Sequence, residues 1–187
     1  MDHRKQNISS GRINPLTSLL SVLAAVVGVA LAARLSVPIS GSSVPQSAQT
    51  LAVLMVGILL GSRLGAVALV VYVALGVSGL PIFADGAVGV ETLVGPTGGY
   101  LLGFVLAALI AGWWTERGKA EHFFTALPGM LLAHAVVLLL GWAWLSGSIG
   151  PARAFSAGVA PFWLGALLKS ALAALFATWI SRRRSSA

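Results

Sequence analysis

The chain has 187 residues, of which 57% are hydrophobic and 9% charged, with no cysteine and a formal net charge of +7. A water-soluble domain normally carries about a quarter charged residues, so composition excludes one. Without cysteine, disulfides and thiolate metal sites are excluded too. The positive balance would suggest nucleic acid in a soluble protein, but the basic residues stand at the chain ends and in short turns, where they set membrane topology.

Apolar runs of about 18 residues or more are long enough to cross the roughly 30 Å hydrocarbon core of a bilayer. Runs such as "LLSVLAAVVGVALAA" are apolar all round rather than alternating, which argues for helices against a membrane barrel. The pattern predicts an all-α membrane protein, a compact bundle of six transmembrane helices with long, partly buried outer loops. The spans fall at about 16–35, 47–60, 64–77, 98–114, 127–145 and 161–180. The second and third are short and are expected to tilt, thin the bilayer or extend into "GSRLG". The division is a cytoplasmic tail over 1–15, the membrane domain over 16–181 and a basic tail over 182–187. No small-residue cleavage site clearly ends the first run before Arg34, so it reads as a retained helix.

Orientation follows from the basic residues. Arg4, Lys5 and Arg12 precede the first span, Arg63 separates the second and third, Arg117 and Lys119 follow the fourth, and Arg182, Arg183 and Arg184 follow the last. With six spans these groups share one side, which the positive-inside bias makes cytoplasmic, with both termini there. The opposite connections, "SVPISGSSVPQ" and "SGLPIFADGAVGVETLVGPTGG", are long, rich in Gly and Pro, and more apolar than solvated loops. Irregular backbone at a membrane persists where protein covers it or where it lines a cavity. These loops are therefore expected to fold over the outer half of the bundle and roof a site, with plain surface connection as the alternative.

The first span carries Ala24, Gly28 and Ala32 at a spacing of four, a small-residue stripe of the kind that lets helices approach closely. It meets either a neighbouring span or a partner protein, and the residues alone do not separate the two. Gln49, opening the second span, offers a donor and an acceptor beneath the first outer loop, or caps its own helix. In "LVGPTGGYLLGF", Gly95, Gly98 and Gly99 expose backbone that a ligand or another helix can approach. Thr97 lies between them and Tyr100 adds an aromatic wall with a hydroxyl tip. His134, in the fifth span with no acid or second histidine nearby, reads as a hydrogen-bonded packing residue.

Lys169 in "PFWLGALLKSALAALF" is the most informative residue. On a helix begun at Pro161 it lies about 12 Å below the outer end, where an ammonium costs roughly 2.5 to 3.5 kcal/mol unless it snorkels or finds a partner. Asp2, Glu116 and Glu121 belong to the cytoplasmic side, leaving Asp85 and Glu91. If neither reaches Lys169, a ligand carboxylate is the simplest complement. "GWWTERGKA" has the wrong glycine spacing for a phosphate loop and lacks its final Ser/Thr, and "GPTGGY" is only loosely similar to a potassium filter. No nucleophile with its base, no paired carboxylates and no metal-ligand set are present, so no catalytic residue, metal or cofactor is expected.

In order, "VPQSAQTLAVLMVGILLG", "YVALGVSGLPIFADG", "GPTGGYLLGF" and "PFWLGALLK" resemble BioY, the biotin-binding subunit of energy-coupling-factor vitamin transporters, over about 16–180. The resemblance implies a non-enzymatic protein of the bacterial plasma membrane. It would capture biotin from outside, held by Gln49, Gly95, Thr97, Gly98, Gly99, Tyr100 and Lys169. It implies a membrane coupling protein and two ATPase subunits that hydrolyse ATP, with Ala24, Gly28 and Ala32 facing the coupling protein; membrane lipids surround the chain and no nucleic acid is involved. The chain departs from the family where Ala166 replaces the usual acid three places before the lysine, Leu164 replaces a proline, and "ADGAVG" replaces a run of glycines. A related subunit for another carboxylated vitamin, a channel and a membrane enzyme stay open as alternatives.

Overall fold

The computed structural model describes residues 14–185, so Asp2, Arg4, Lys5 and Arg12, with most of the 1–15 tail, lie outside the described residues. It contains seven α-helices: α1 (Pro15–Arg34), α2 (Gln49–Val77), α3 (Gly89–Val94), α4 (Gly98–Glu116), α5 (Phe123–Ile149), α6 (Pro151–Gly158) and α7 (Trp163–Ser185). A two-residue antiparallel ladder, β1 (Ser36–Val37) with β2 (Gln46–Ser47), pairs Ser36 with Ser47 in the first connection. A single 3₁₀ turn, Ala84–Gly86, lies in the second. Five helices, α1, α2, α4, α5 and α7, are long and apolar enough to cross a membrane. Their outward faces expose Leu20, Leu31, Leu139, Leu168 and Leu175, as lipid contact requires.

The expected second and third spans form one helical element broken at Gly61. There φ is +79° and ψ 177°, a conformation that a side chain all but forbids. In an unbroken helix Gly57 and Gly65 would stand about 12 Å apart. Here a Cβ on Gly65 would lie 3.1 Å from the Gly57 Cα, so the chain doubles back into two antiparallel arms. Glu116 holds the reversal. Its carboxylate accepts the Ser62 backbone N–H at 2.8 Å and the Ser62 hydroxyl at 2.7 Å, satisfying groups left over at the start of the second arm. A guanidinium N–H of Arg184 donates to the Leu59 carbonyl at 3.0 Å, so the end of α7 returns to the same turn.

The α4 helix is the axis of the bundle: 56% of its span is buried, against 22% for α1. It packs on α2 and on α5, α5 packs on α7, and α7 returns to α2 and closes the ring. Small residues make this possible. Ala107, Ala108 and Ala111 are fully buried, and Gly112 lies against the backbone of Gly61 and Ser62. The α1 helix packs on α2 and leaves Ala24 and Gly28 exposed, with open space where a Gly28 side chain would be. Ala24 and Gly28 are therefore not used for packing within the described bundle, whereas Ala33 on the same helix is fully buried.

At the end of the bundle that holds the Gly61 turn, three cations lie over tryptophan faces. Arg117 sits 3.8 Å from the Trp113 ring centre, Lys119 4.6 Å from Trp114 and Arg183 4.4 Å from Trp179. Amphipathic pairs of this kind suit a headgroup layer.

Candidate binding site

The other end of the bundle encloses a cavity of about 260 Å³. This lies just below the range of roughly 300 to 1,000 Å³ usual for small-molecule sites. Its wall is mostly apolar, with Phe104, Val137, Leu138 and Phe162 among the lining residues. Both Gly/Pro-rich connections contribute to it, the first through 43–47 and the second through 83–85 and Ala87 with Thr92 and Thr97. Each connection is pinned by a buried apolar side chain.

Phe83 is the stronger pin. It is 1% exposed, lies edge-on to Tyr72 with ring centres 5.6 Å apart, and fills the space left by Gly76, where any Cβ would collide with its ring. Burial of such a ring contributes about 1.5 to 3 kcal/mol. Val44, also buried, anchors the first connection. The Tyr72 hydroxyl donates to the Ile82 carbonyl at 2.7 Å and accepts from the Gln49 amide at 2.6 Å. One hydrogen-bond chain thus runs from the first arm of α2 through the second arm to the connection above.

Of the seven residues expected to hold biotin, four line this cavity: Gln49, Thr97, Tyr100 and Lys169. Gln49 does not cap its own helix; its carbonyl accepts from the Ser47 hydroxyl at 3.0 Å while its amide meets Tyr72. Thr97 donates to the Thr92 carbonyl at 3.1 Å. Tyr100 donates to the Gly158 carbonyl at 2.7 Å, which fixes its ring as wall, tilted against Phe162.

Gly95, Gly98 and Gly99 are absent from the lining and have a different use. A Cβ on Gly99 would lie 2.4 Å from the Leu140 carbonyl oxygen and 2.4 Å from the Trp144 Cβ. One on Gly98 would meet the Leu93 carbonyl at 1.7 Å. Gly95 offers its carbonyl to the Trp144 indole N–H at 3.0 Å. These glycines let α3 and α5 close on the start of α4, and helix packing accounts for all three.

Lys169 projects from α7 under the β ladder. Its ammonium donates to the Ser47 carbonyl and, at 3.2 Å, to the Thr50 hydroxyl. Both acceptors are neutral, and among the described residues no carboxylate pairs with it and its third N–H has no protein acceptor. Of the two acids considered for it, Glu91 is absent from the lining, and Asp85 lies on the cavity wall but takes its hydrogen bond from the Ser36 hydroxyl. Ala166, one turn before Lys169, lines the cavity with a methyl group.

Sequence reading passed over Phe83, Thr50 and Ser47. It also underused His134, which lines the cavity and shares a 3.2 Å hydrogen bond with Ser170. An aromatic inside a Gly/Pro-rich loop was the available signal for Phe83. His134 and Ser170 carry a packing hydrogen bond, as expected, but at the cavity wall.

The BioY family profile matches residues 4–186. The chain belongs to the BioY family. It is 38% identical over 160 residues to the probable biotin transporter BioY of Pyrococcus horikoshii, covering 86% of this chain and 92% of that one. The biotin transporter BioY of Rhodobacter capsulatus is 34% identical over 182 residues, covering 91% and 95%. Among solved structures, the S-component for biotin from an ECF-type ABC transporter superposes with a TM-score of 0.81 at 23% identity, covering 89% of this chain and 92% of that one. This BioY chain therefore has the S-component fold and is a multi-pass membrane protein of a transporter family, not an enzyme.

Proposed function

We propose that this BioY protein is the substrate-binding component of a biotin importer. The observation that carries the reading is Lys169: a cation at a mostly apolar cavity, held by two neutral acceptors and no acid. A bound carboxylate completes that arrangement with a charge-assisted hydrogen bond. Biotin brings one on its valerate tail. Its fused rings suit the walls of Phe104, Leu138 and Phe162, and Gln49, Thr97 and Tyr100 stand at the same cavity for its polar edge. The family membership and the biotin-directed relatives support this choice of ligand.

The two arms of α2 each cross the membrane in this reading, giving six crossings. The cluster Arg63, Arg117, Lys119 and Arg182 to Arg184 then faces the cytoplasm, with both termini there, in the plasma membrane. The connections roofing the cavity face outside. Import energy comes from two ATPase subunits through a membrane coupling protein, and the exposed Ala24 and Gly28, with the half-buried Ala32, form the face for that protein. Release of biotin inside requires the loaded cavity to be presented to the cytoplasm, which the coupling protein drives.

Titration of the purified protein in nanodiscs with a panel of vitamins tests the reading. Saturable binding of biotin at one site, ahead of every other carboxylated vitamin, is expected. Absence of biotin binding, or preference for another vitamin, contradicts it.

A further inference from the structure

Asp85 is the one acidic side chain among the described cavity residues, and the proposed role of Lys169 does not use it. It is also the only described residue other than glycine with a left-handed backbone, at φ 55°. Asp tolerates that region better than most residues, yet such positions concentrate at ligand sites. Its Oδ1 accepts from the Ser36 hydroxyl; its Oδ2 has no protein donor among the described residues.

The β ladder fixes its relation to Lys169. Ser36 holds Asp85, the Ser47 carbonyl holds Lys169, and Ser36 and Ser47 are direct partners across the ladder. The two charges therefore hang from opposite strands of a single rung, roughly 5 Å wide, with one side chain's reach added at each end. The cavity thus has a fixed cation at one place and a fixed anion at another. They are not paired with each other, so their separation is left for a ligand to span.

We propose that Asp85 is a specificity determinant: its free carboxylate oxygen accepts N–H from the ligand whose carboxylate sits on Lys169. This rests on the biotin reading and extends it to the ureido end, whose N–H groups are the donors biotin offers. A carboxylate acceptor makes a hydrogen bond about twice as strong as a neutral one. Asp85 is solvent-exposed in the empty protein, so ligands that carry a carboxylate but no N–H at the far end cover it without pairing it and bind more weakly.

The test compares biotin with biotin methylated on both ureido nitrogens, titrated into the wild type, Asp85→Asn, Ser36→Ala and Lys169→Ala. Asn keeps the left-handed backbone accessible. The wild type is expected to prefer biotin over the methylated ligand by about tenfold or more. Asp85→Asn should weaken biotin and shrink that preference to a few-fold. Ser36→Ala keeps the carboxylate and should retain the preference.

Equal binding of the two ligands by the wild type overturns the proposal. So does an Asp85→Asn protein that keeps the full preference, including one in which both ligands weaken equally, which would mark Asp85 as purely structural. If biotin binds and Lys169→Ala weakens it while Asp85→Asn changes nothing, only the role of Asp85 fails. If the wild type does not bind biotin, the biotin reading fails and this proposal with it.

Discussion

The two ends of the bundle treat charge in opposite ways. At the Gly61 turn charged side chains tie the bundle together: Glu116 closes on Ser62, Arg184 on Leu59, and Arg117, Lys119 and Arg183 lie on tryptophan faces. At the cavity end, Lys169 and Asp85 stand in one cavity without pairing, each held by neutral groups. The first set of charges joins one element of the bundle to another, whereas Lys169 and Asp85 are opposite charges on the wall of one cavity, where a ligand can supply a complement to each. The contrast separates residues that hold the bundle from residues that wait for cargo, and each can be perturbed alone.

The largest effect is expected where the roof is pinned. Phe83→Ala removes a fully buried ring from the socket at Gly76 and Tyr72 and should cost about 3 to 5 kcal/mol, read as a lowered thermal midpoint in detergent. Biotin should weaken as well, because the cavity lining at 83–85 and Ala87 loses its anchor. A midpoint unchanged from wild type would mean that the second connection is held by other contacts.

Lys169→Ala is expected next, with an effect of a different kind. Loss of a hydrogen bond between charged groups corresponds to about 1.5 to 3 kcal/mol, so biotin affinity should fall roughly ten- to a hundredfold. The thermal midpoint of the empty protein should hold or rise, since a half-buried ammonium is removed. A lowered midpoint with intact affinity would make Lys169 a structural residue and erase the contrast between the ends.

Glu116→Ala is the smallest. It removes a cap at the start of the second arm and should cost about 1 kcal/mol of stability, with biotin affinity unchanged. Weaker biotin binding in that variant would show that the ends are coupled rather than separate.

Much of this organisation was legible in the sequence because the bilayer imposes it. Uninterrupted apolarity marked the long helices, and Arg63 between the second and third expected spans marked the break now seen at Gly61. Lys169 was legible because an ammonium inside an apolar run is costly whatever surrounds it. Gly98 and Gly99 show what was not legible. Glycine invites close approach, but whether a ligand or a helix approaches depends on residues 40 positions away, here Leu140 and Trp144. The neutral partners of Lys169 and the cavity-facing position of Asp85 depend likewise on a ladder only two residues long, too short to give a periodic signal.

The central claim, that Lys169 is kept for a ligand carboxylate, is tested most directly by calorimetric titration of the wild-type protein with biotin and with biotinamide, which differ only in that group. Biotin is expected to bind about ten- to a hundredfold more tightly than the neutral amide. Equal affinity for the two would contradict the account.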